Sequence, residues 1–163
     1  MGRRVAGLDL AGSPKRPSGL ALVEEGVLVW AGVLHGDEEL LDVILRFKPM
    51  VVAVDAPLSH AKGYRAVDKL MIRMGFRVLP PGWRGMRMLV ERAIRVKEAL
   101  EAHGITVIET HPLSAVRSSG ASSHVDAASR FIRVPCRLPS VKDVVDAIVC
   151  AAVAWAYLEG KTI

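Results

Sequence analysis

The run Val51-Val52-Ala53-Val54 constrains the fold more than any other segment of the 163-residue chain. It is apolar at every position, and Pro49 and Asp55-Ala56-Pro57 bound it. A strand without polar alternation must be covered on both faces, and that is the habit of sheets with helices on each side. The segment Val5-Ala6-Gly7-Leu8-Asp9-Leu10 has the same character and runs into a small, flexible turn, Ala11-Gly12-Ser13-Pro14. In open α/β sheets, ligands bind just beyond the carboxyl ends of the strands. Asp9 and Asp55 stand at two such ends.

The remaining segments predict a mixed sheet. Val5–Leu10 is the first strand. Gly19–Glu24 and Val27–Val33 read as a hairpin turning at Glu24-Glu25-Gly26. Leu40, Leu41, Ile44 and Leu45 recur at helical spacing within 37–47, which ends before Pro49. Val51–Asp55 is the fourth strand, 57–63 a loop, and 64–74 a helix stopped by Gly75. Residues 78–85 are irregular, and 86–103 form a long helix closed by Gly104. Ile105–Thr110 is the fifth strand. The stretch 111–137 is the hardest to assign, with a short helix after Pro112 and a Ser/Gly/Ala-rich loop at 118–123. Ser140 is placed to cap a final helix over 141–159. The expectation is one domain over 1–163, α/β in class. Its five-stranded mixed sheet starts as three antiparallel strands, continues with parallel ones, and carries helices on both faces.

Bulk properties narrow the function. Half of the residues are hydrophobic (51%), which excludes a disordered chain. The formal charge of +5 suits a polyanionic partner such as nucleic acid, although the basic residues are spread out rather than gathered in one run. The apolar stretch near 144–158 is too short to span a bilayer and contains Asp146, so it reads as a core helix and no membrane is expected. Met1-Gly2-Arg3-Arg4 leads straight into a strand, so no signal peptide is expected, and a cytoplasmic location is the expectation. Cys136 and Cys150 form no metal-type pair, and Cys150 reads as a small buried hydrophobe. The chain has no Asn and no Gln, a depletion typical of proteins from hot environments. A homodimer is compatible with the sequence, which fixes no oligomeric state.

The acidic residues carry the chemistry. If the first and fourth strands are neighbours, Asp9 and Asp55 face each other across one strand spacing. Like charges held that close raise a pKa unless a cation sits between them, and oxygen ligands select a hard ion, Mg²⁺ or Mn²⁺. Glu109 is a third candidate, sharing a strand face with Val107 and His111. Asp146 lies among Val144, Val145, Ala147, Ile148 and Val149, where a carboxylate is costly unless paired or metal-bound. Asp143 shares its helix face, and the spacing from Ser140 also fits a capping box. His111 is either a proton-transfer group or a plain loop histidine.

Several segments jointly resemble the ribonuclease-H-like nuclease superfamily, which includes Holliday-junction resolvases and transposase cores. They are similar in particular to a prokaryotic family of uncharacterised proteins predicted to be RNase H-like nucleases. The segments are Gly7-Leu8-Asp9-Leu10-Ala11-Gly12-Ser13, Val54-Asp55-Ala56-Pro57-Leu58, Val78-Leu79-Pro80-Pro81, Gly85-Met86, Val107-Ile108-Glu109-Thr110-His111-Pro112 and Asp146-Ala147-Ile148. The resemblance implies a central first strand and two-metal phosphodiester hydrolysis. Asp9 would bridge both ions, Asp55 and Asp146 would hold one each, and Glu109 or Asp143 would complete the shell. One metal would lower the pKa of the attacking water and the other would stabilise the leaving oxygen. No Ser-His-Asp or Cys-His spacing argues for a side-chain nucleophile.

Other segments are open to two readings. Ser13, Lys15 and Arg16 lie in the turn after Asp9 and either contact a phosphate or simply close a hairpin. Arg65, Lys69 and Arg73 make a basic stripe or a solvated helix face. Trp83 with Arg84 and Arg87 suits base stacking and phosphate contact, but a packing plug is the commoner role of such a tryptophan. Trp30 and Trp155 read as core. Two further functions compete with a nuclease. One is a nucleotide-binding module of the actin and sugar-kinase type, which normally needs a second such domain. The other is an inactive scaffold for nucleic acid or a partner, which would not need Asp9, Asp55 and Asp146 to converge.

Overall fold

Five strands form one sheet in the order β3-β2-β1-β4-β5. A computed structural model describes residues 2–135, 137–138 and 140–162, so Cys136 lies outside the described residues. The strands are β1 (Arg4–Asp9), β2 (Ser18–Glu24), β3 (Val27–Leu34), β4 (Val51–Val54) and β5 (Thr106–Glu109). β1 pairs antiparallel with β2, and β2 with β3, whereas β1, β4 and β5 run parallel. The β2–β3 turn places both Glu25 (φ 49°) and Gly26 (φ 74°) in the left-handed region, the backbone that a tight hairpin turn requires.

The helices are α1 (Gly36–Phe47), α2 (Ala66–Arg73), α3 (Arg87–Glu101), α4 (Pro112–Ser118), α5 (His124–Ser129) and α6 (Lys142–Leu158). They cover both faces. One core joins Val5, Val51 and Ala53 to Ala147, Ile148, Ala151 and Trp155 of α6. The other joins Ala6, Leu8, Val52 and Val54 to Leu40 and Ile44 of α1 and Ala93, Val96 and Leu100 of α3. Alternation along each strand sorts the side chains between these cores. All four residues of β4 are buried, as its unbroken apolar run predicts. The α/β class, the mixed five-stranded sheet and the helices on both faces match the sequence reading.

α6 lies unusually close to the sheet. A Cβ added at Gly7 would stand 2.1 Å from both the Ala147 carbonyl oxygen and the Ala151 nitrogen, and one at Gly19 would stand 2.0 Å from the Asp143 carbonyl oxygen. Two missing side chains thus let a helix backbone rest directly on β1 and β2. The helix is correspondingly rich in alanine on that side.

Three local expectations are corrected, and one open stretch gains a helix. The last helix starts at Lys142 with Val141 at its N-cap and no side-chain cap bond, so Ser140 and Asp143 make no capping box. α5 lies just past the expected loop at 118–123, in the stretch hardest to assign, capped by the Ser123 hydroxyl, which accepts from the Asp126 backbone N–H. Trp30 is not core: it sits on the edge strand β3 and is 41% exposed, whereas Trp155 is buried. Trp83 is not a plug, being 56% exposed. Cys150 is buried as expected, and no helix among the described residues is long and apolar enough to cross a membrane.

Candidate metal centre

The β1–β4 register fixes the first two carboxylates. Leu8 is opposite Val54, and the Asp55 N–H donates to the Leu8 carbonyl at 2.8 Å, so the ladder carries on to set Asp9 beside Asp55. Asp9 continues the face of Val5 and Gly7, and Asp55 that of Val51 and Ala53, which is the face α6 covers. α6 supplies the third carboxylate: Asp146 is one residue before Ala147, whose carbonyl rests on Gly7. One carboxylate oxygen from each of Asp9, Asp55 and Asp146 lies within 4.8 Å of the other two. Among the described residues this is the one group of three or more such ligands.

The electrostatics are those of charges crowded without enough compensation. Burial, then repulsion from Asp55, Asp146 and Asp143, pushes the Asp9 carboxyl up to about 8. Burial is also the largest influence on Asp55, which is pushed up to about 6. The hydrogen bond between them raises Asp9 and lowers Asp55, as when a protonated Asp9 donates to an ionised Asp55. Asp146 has two basic residues beside it. Lys142 Nζ donates to its Oδ2 at 2.6 Å, and His124 Nε2 lies 3.3 Å from its Oδ1.

The donor set fits a divalent metal. Three carboxylates from three elements meet with an all-oxygen lining, which suits Mg²⁺ or Mn²⁺ and not a thiophilic ion. The raised Asp9 and Asp55 report the same deficit of positive charge that such an ion would fill.

Glu109 stands outside this group. It is opposite Val54 in the β4–β5 register and shares that residue's face, toward α3 and away from α6. There it accepts two bonds from Arg65 (2.6 and 2.8 Å) and one from the Leu58 N–H (3.0 Å). Arg65 also binds Asp68, so it is the centre of a double ion pair rather than part of a basic stripe. Lys69 and Arg73 are exposed. Asp143 lies in the first turn of α6, near enough to Asp9 to raise its pKa but not within the group of three. His111 is the N-cap of α4, with Nδ1 2.6 Å from the buried Ser114 hydroxyl. Burial holds its pKa below the usual value, against the pull of Asp146 and Glu109. Lys15, Arg16, Arg84 and Arg87 are all exposed, and Ser13 is partly buried.

Arg92, Lys142 and His124 were not singled out by sequence reasoning. Arg92 is 1% exposed. Its Nε donates to Asp37 Oδ1 at 2.7 Å, and Nη1 to the carbonyls of Ala11 (2.6 Å) and Ser13 (3.3 Å), while Nη2 has no partner among the described residues. It thereby pins the turn that follows Asp9. Its signal was available: Leu89, Arg92, Ala93, Val96 and Leu100 form one helical stripe, and an arginine inside an apolar stripe must be paired. Lys142 and Asp146 stand at i,i+4 spacing, which also marks a pair. His124 had no comparable mark, because its approach to Asp146 depends on how α5 packs on α6.

No family model matches the chain, and no curated protein matches it in sequence. Solved structures do match. One is Thermus thermophilus RuvC in complex with a Holliday junction substrate, at 18% identity and a TM-score of 0.61. Another is a Thermus thermophilus RuvC structure at 17% identity and a TM-score of 0.57. Each alignment covers 97% of both chains. The likeness shows the architecture: the chain has the five-stranded mixed α/β fold of RuvC.

Proposed function

We propose that this protein is a metal-dependent nuclease, hydrolysing nucleic-acid phosphodiester bonds with two divalent ions, Mg²⁺ or Mn²⁺, at Asp9, Asp55 and Asp146. The convergence of these three carboxylates within 4.8 Å at the end of the central strand carries the reading. The net charge of +5 supports it, as does the fold shared with a RuvC that is bound to a Holliday junction.

Asp9 on the central strand faces both of the others and is the candidate bridging ligand, with Asp55 and Asp146 flanking it. Asp143 is one turn away on α6 and is the reserve ligand. Glu109, held by Arg65, orders the neighbouring loop instead. Lys15 and Arg16, in the turn that Arg92 pins, and Arg84 and Arg87, before and at the start of α3, are the proposed phosphate contacts, all of them exposed. Ser13 and His111 are the remaining candidates for substrate contact. A bound divalent ion supplies activation of water and stabilisation of the leaving oxygen.

The test is a cleavage screen with Mn²⁺ or Mg²⁺ across junction, duplex, hybrid and single-stranded DNA and RNA, with wild type and Asp9→Asn. The expected result is metal-dependent cleavage of at least one substrate, lowered by about 100-fold or more in Asp9→Asn. Equal activity in both proteins would overturn the assignment.

A further inference from the structure

Two cavities meet at His111. The smaller, about 160 Å³, opens on Asp55. The larger, about 580 Å³, lies between α2, α4 and the C-terminal half of α6. Met71, Glu109, Thr110 and His111 line both, so the space at Asp55 and the larger space share one wall.

The larger cavity has a mixed lining. Phe76, Phe131 and Val153 give it apolar sides, and Thr110, His111 and Ser114 add a polar edge. Ser114 is buried and holds His111 Nδ1. No described residue bonds the other ring nitrogen. A lipid tail would waste the hydroxyls and the imidazole. A planar ring with donors and acceptors along one edge uses both the apolar sides and the polar edge, and the volume is in the range of small-molecule sites.

We propose that this cavity receives an unpaired nucleobase from the strand whose phosphate lies at Asp9, Asp55 and Asp146. The proposal rests on the nuclease reading and narrows its substrate. A base inside a duplex must be unstacked to enter, whereas a bulged, mismatched or single-stranded base enters with little loss. The cavity would therefore select strands with an unpaired base beside the cut.

The test begins with the oligonucleotide that wild type cuts fastest, replacing each base flanking the cut in turn by an abasic site or by 2-aminopurine. Two variants fill the cavity: Val153→Trp from α6, and Val67→Trp from α2, where Val67 is 49% exposed and tolerates enlargement. Thermal unfolding and Mn²⁺ titration establish that fold and metal centre are intact. The expected result is one position at which the abasic site slows wild-type cleavage about tenfold and at which 2-aminopurine fluorescence changes on binding. Val67→Trp should remove both effects while binding Mn²⁺ as wild type does. Wild type indifferent to every abasic replacement, or a folded Val67→Trp that cuts and quenches as wild type does, would overturn the proposal and leave the nuclease reading standing. If wild type cuts nothing with Mn²⁺, the nuclease reading itself fails and this inference falls with it.

Discussion

Replacing Gly7 by alanine should damage both the fold and the metal centre, because this one missing side chain sets how near α6 lies to the sheet. The new methyl would meet the Ala147 carbonyl oxygen and the Ala151 nitrogen, each at 2.1 Å. Both obstacles are helix backbone and cannot rotate away. A protein interior is close-packed, so α6 must withdraw by about 1 Å to restore ordinary contact. Overpacking of this kind costs about 3 kcal/mol, of which the stiffer unfolded chain returns less than about 1 kcal/mol. The same withdrawal carries Asp146 away from Asp9 and Asp55, and a displacement of about 1 Å at reacting groups lowers rates by about 100-fold. Urea unfolding and Mn²⁺ calorimetry measure the two effects in one protein. Gly85→Ala is the control, since nothing lies within 4 Å of a Cβ there. Wild-type stability and Mn²⁺ affinity in Gly7→Ala would refute the reasoning, because α6 would then not be held by this contact.

Three further outcomes are expected. Arg92→Met removes the donors of the Ala11 and Ser13 carbonyls and of Asp37, and should cost about 2–3 kcal/mol in urea unfolding; a loss below about 0.5 kcal/mol would show that water replaces the guanidinium. Because folding raises the Asp9 and Asp55 pKa values from 3.8 to about 8 and about 6, the folded chain binds more protons than the unfolded one across that window, and its metal-free stability should fall as pH rises through it. Thermal unfolding in EDTA and in Mn²⁺ should accordingly show a larger Mn²⁺ gain at pH 8 than at pH 5; an equal gain at both would contradict the assignment of these groups. Asp9→Asn removes one of the crowded charges, and should raise the metal-free Tm at pH 8 while abolishing the Mn²⁺ gain.

The fold was legible because it rests on patterns that local chemistry dictates. The unbroken apolar runs at 5–8 and 51–54 mark buried strands, and Glu25-Gly26 marks the hairpin. Asp146 was legible for the same reason, as a charge in an apolar helix that demands an explanation. Glu109 shows where this reasoning stops. Period-two alternation correctly groups it with Val107, but which face that group takes depends on the β4–β5 register, and the register puts it opposite Val54 rather than beside Asp55. Asp143 had two good local explanations, and only the helix start at Lys142, with Val141 as an N-cap that makes no side-chain bond, shows that a capping box with Ser140 is not its role. Trp30 misled because an aromatic in an apolar strand is usually buried, and Trp83 because a tryptophan near two prolines is usually a packing plug; exposure is a property of the assembled surface. α5 was within reach, since Ser123 and Asp126 form the S-x-x-D signature of a helix start.

The nuclease reading stands or falls on whether Asp9, Asp55 and Asp146 together hold a divalent ion. A crystal soaked in Mn²⁺ and measured for anomalous scattering decides it. An anomalous peak is expected in coordination contact with an oxygen of each of the three carboxylates, absent from crystals of Asp9→Asn. A saturating soak with no peak between them, or with Mn²⁺ bound only elsewhere, would contradict it.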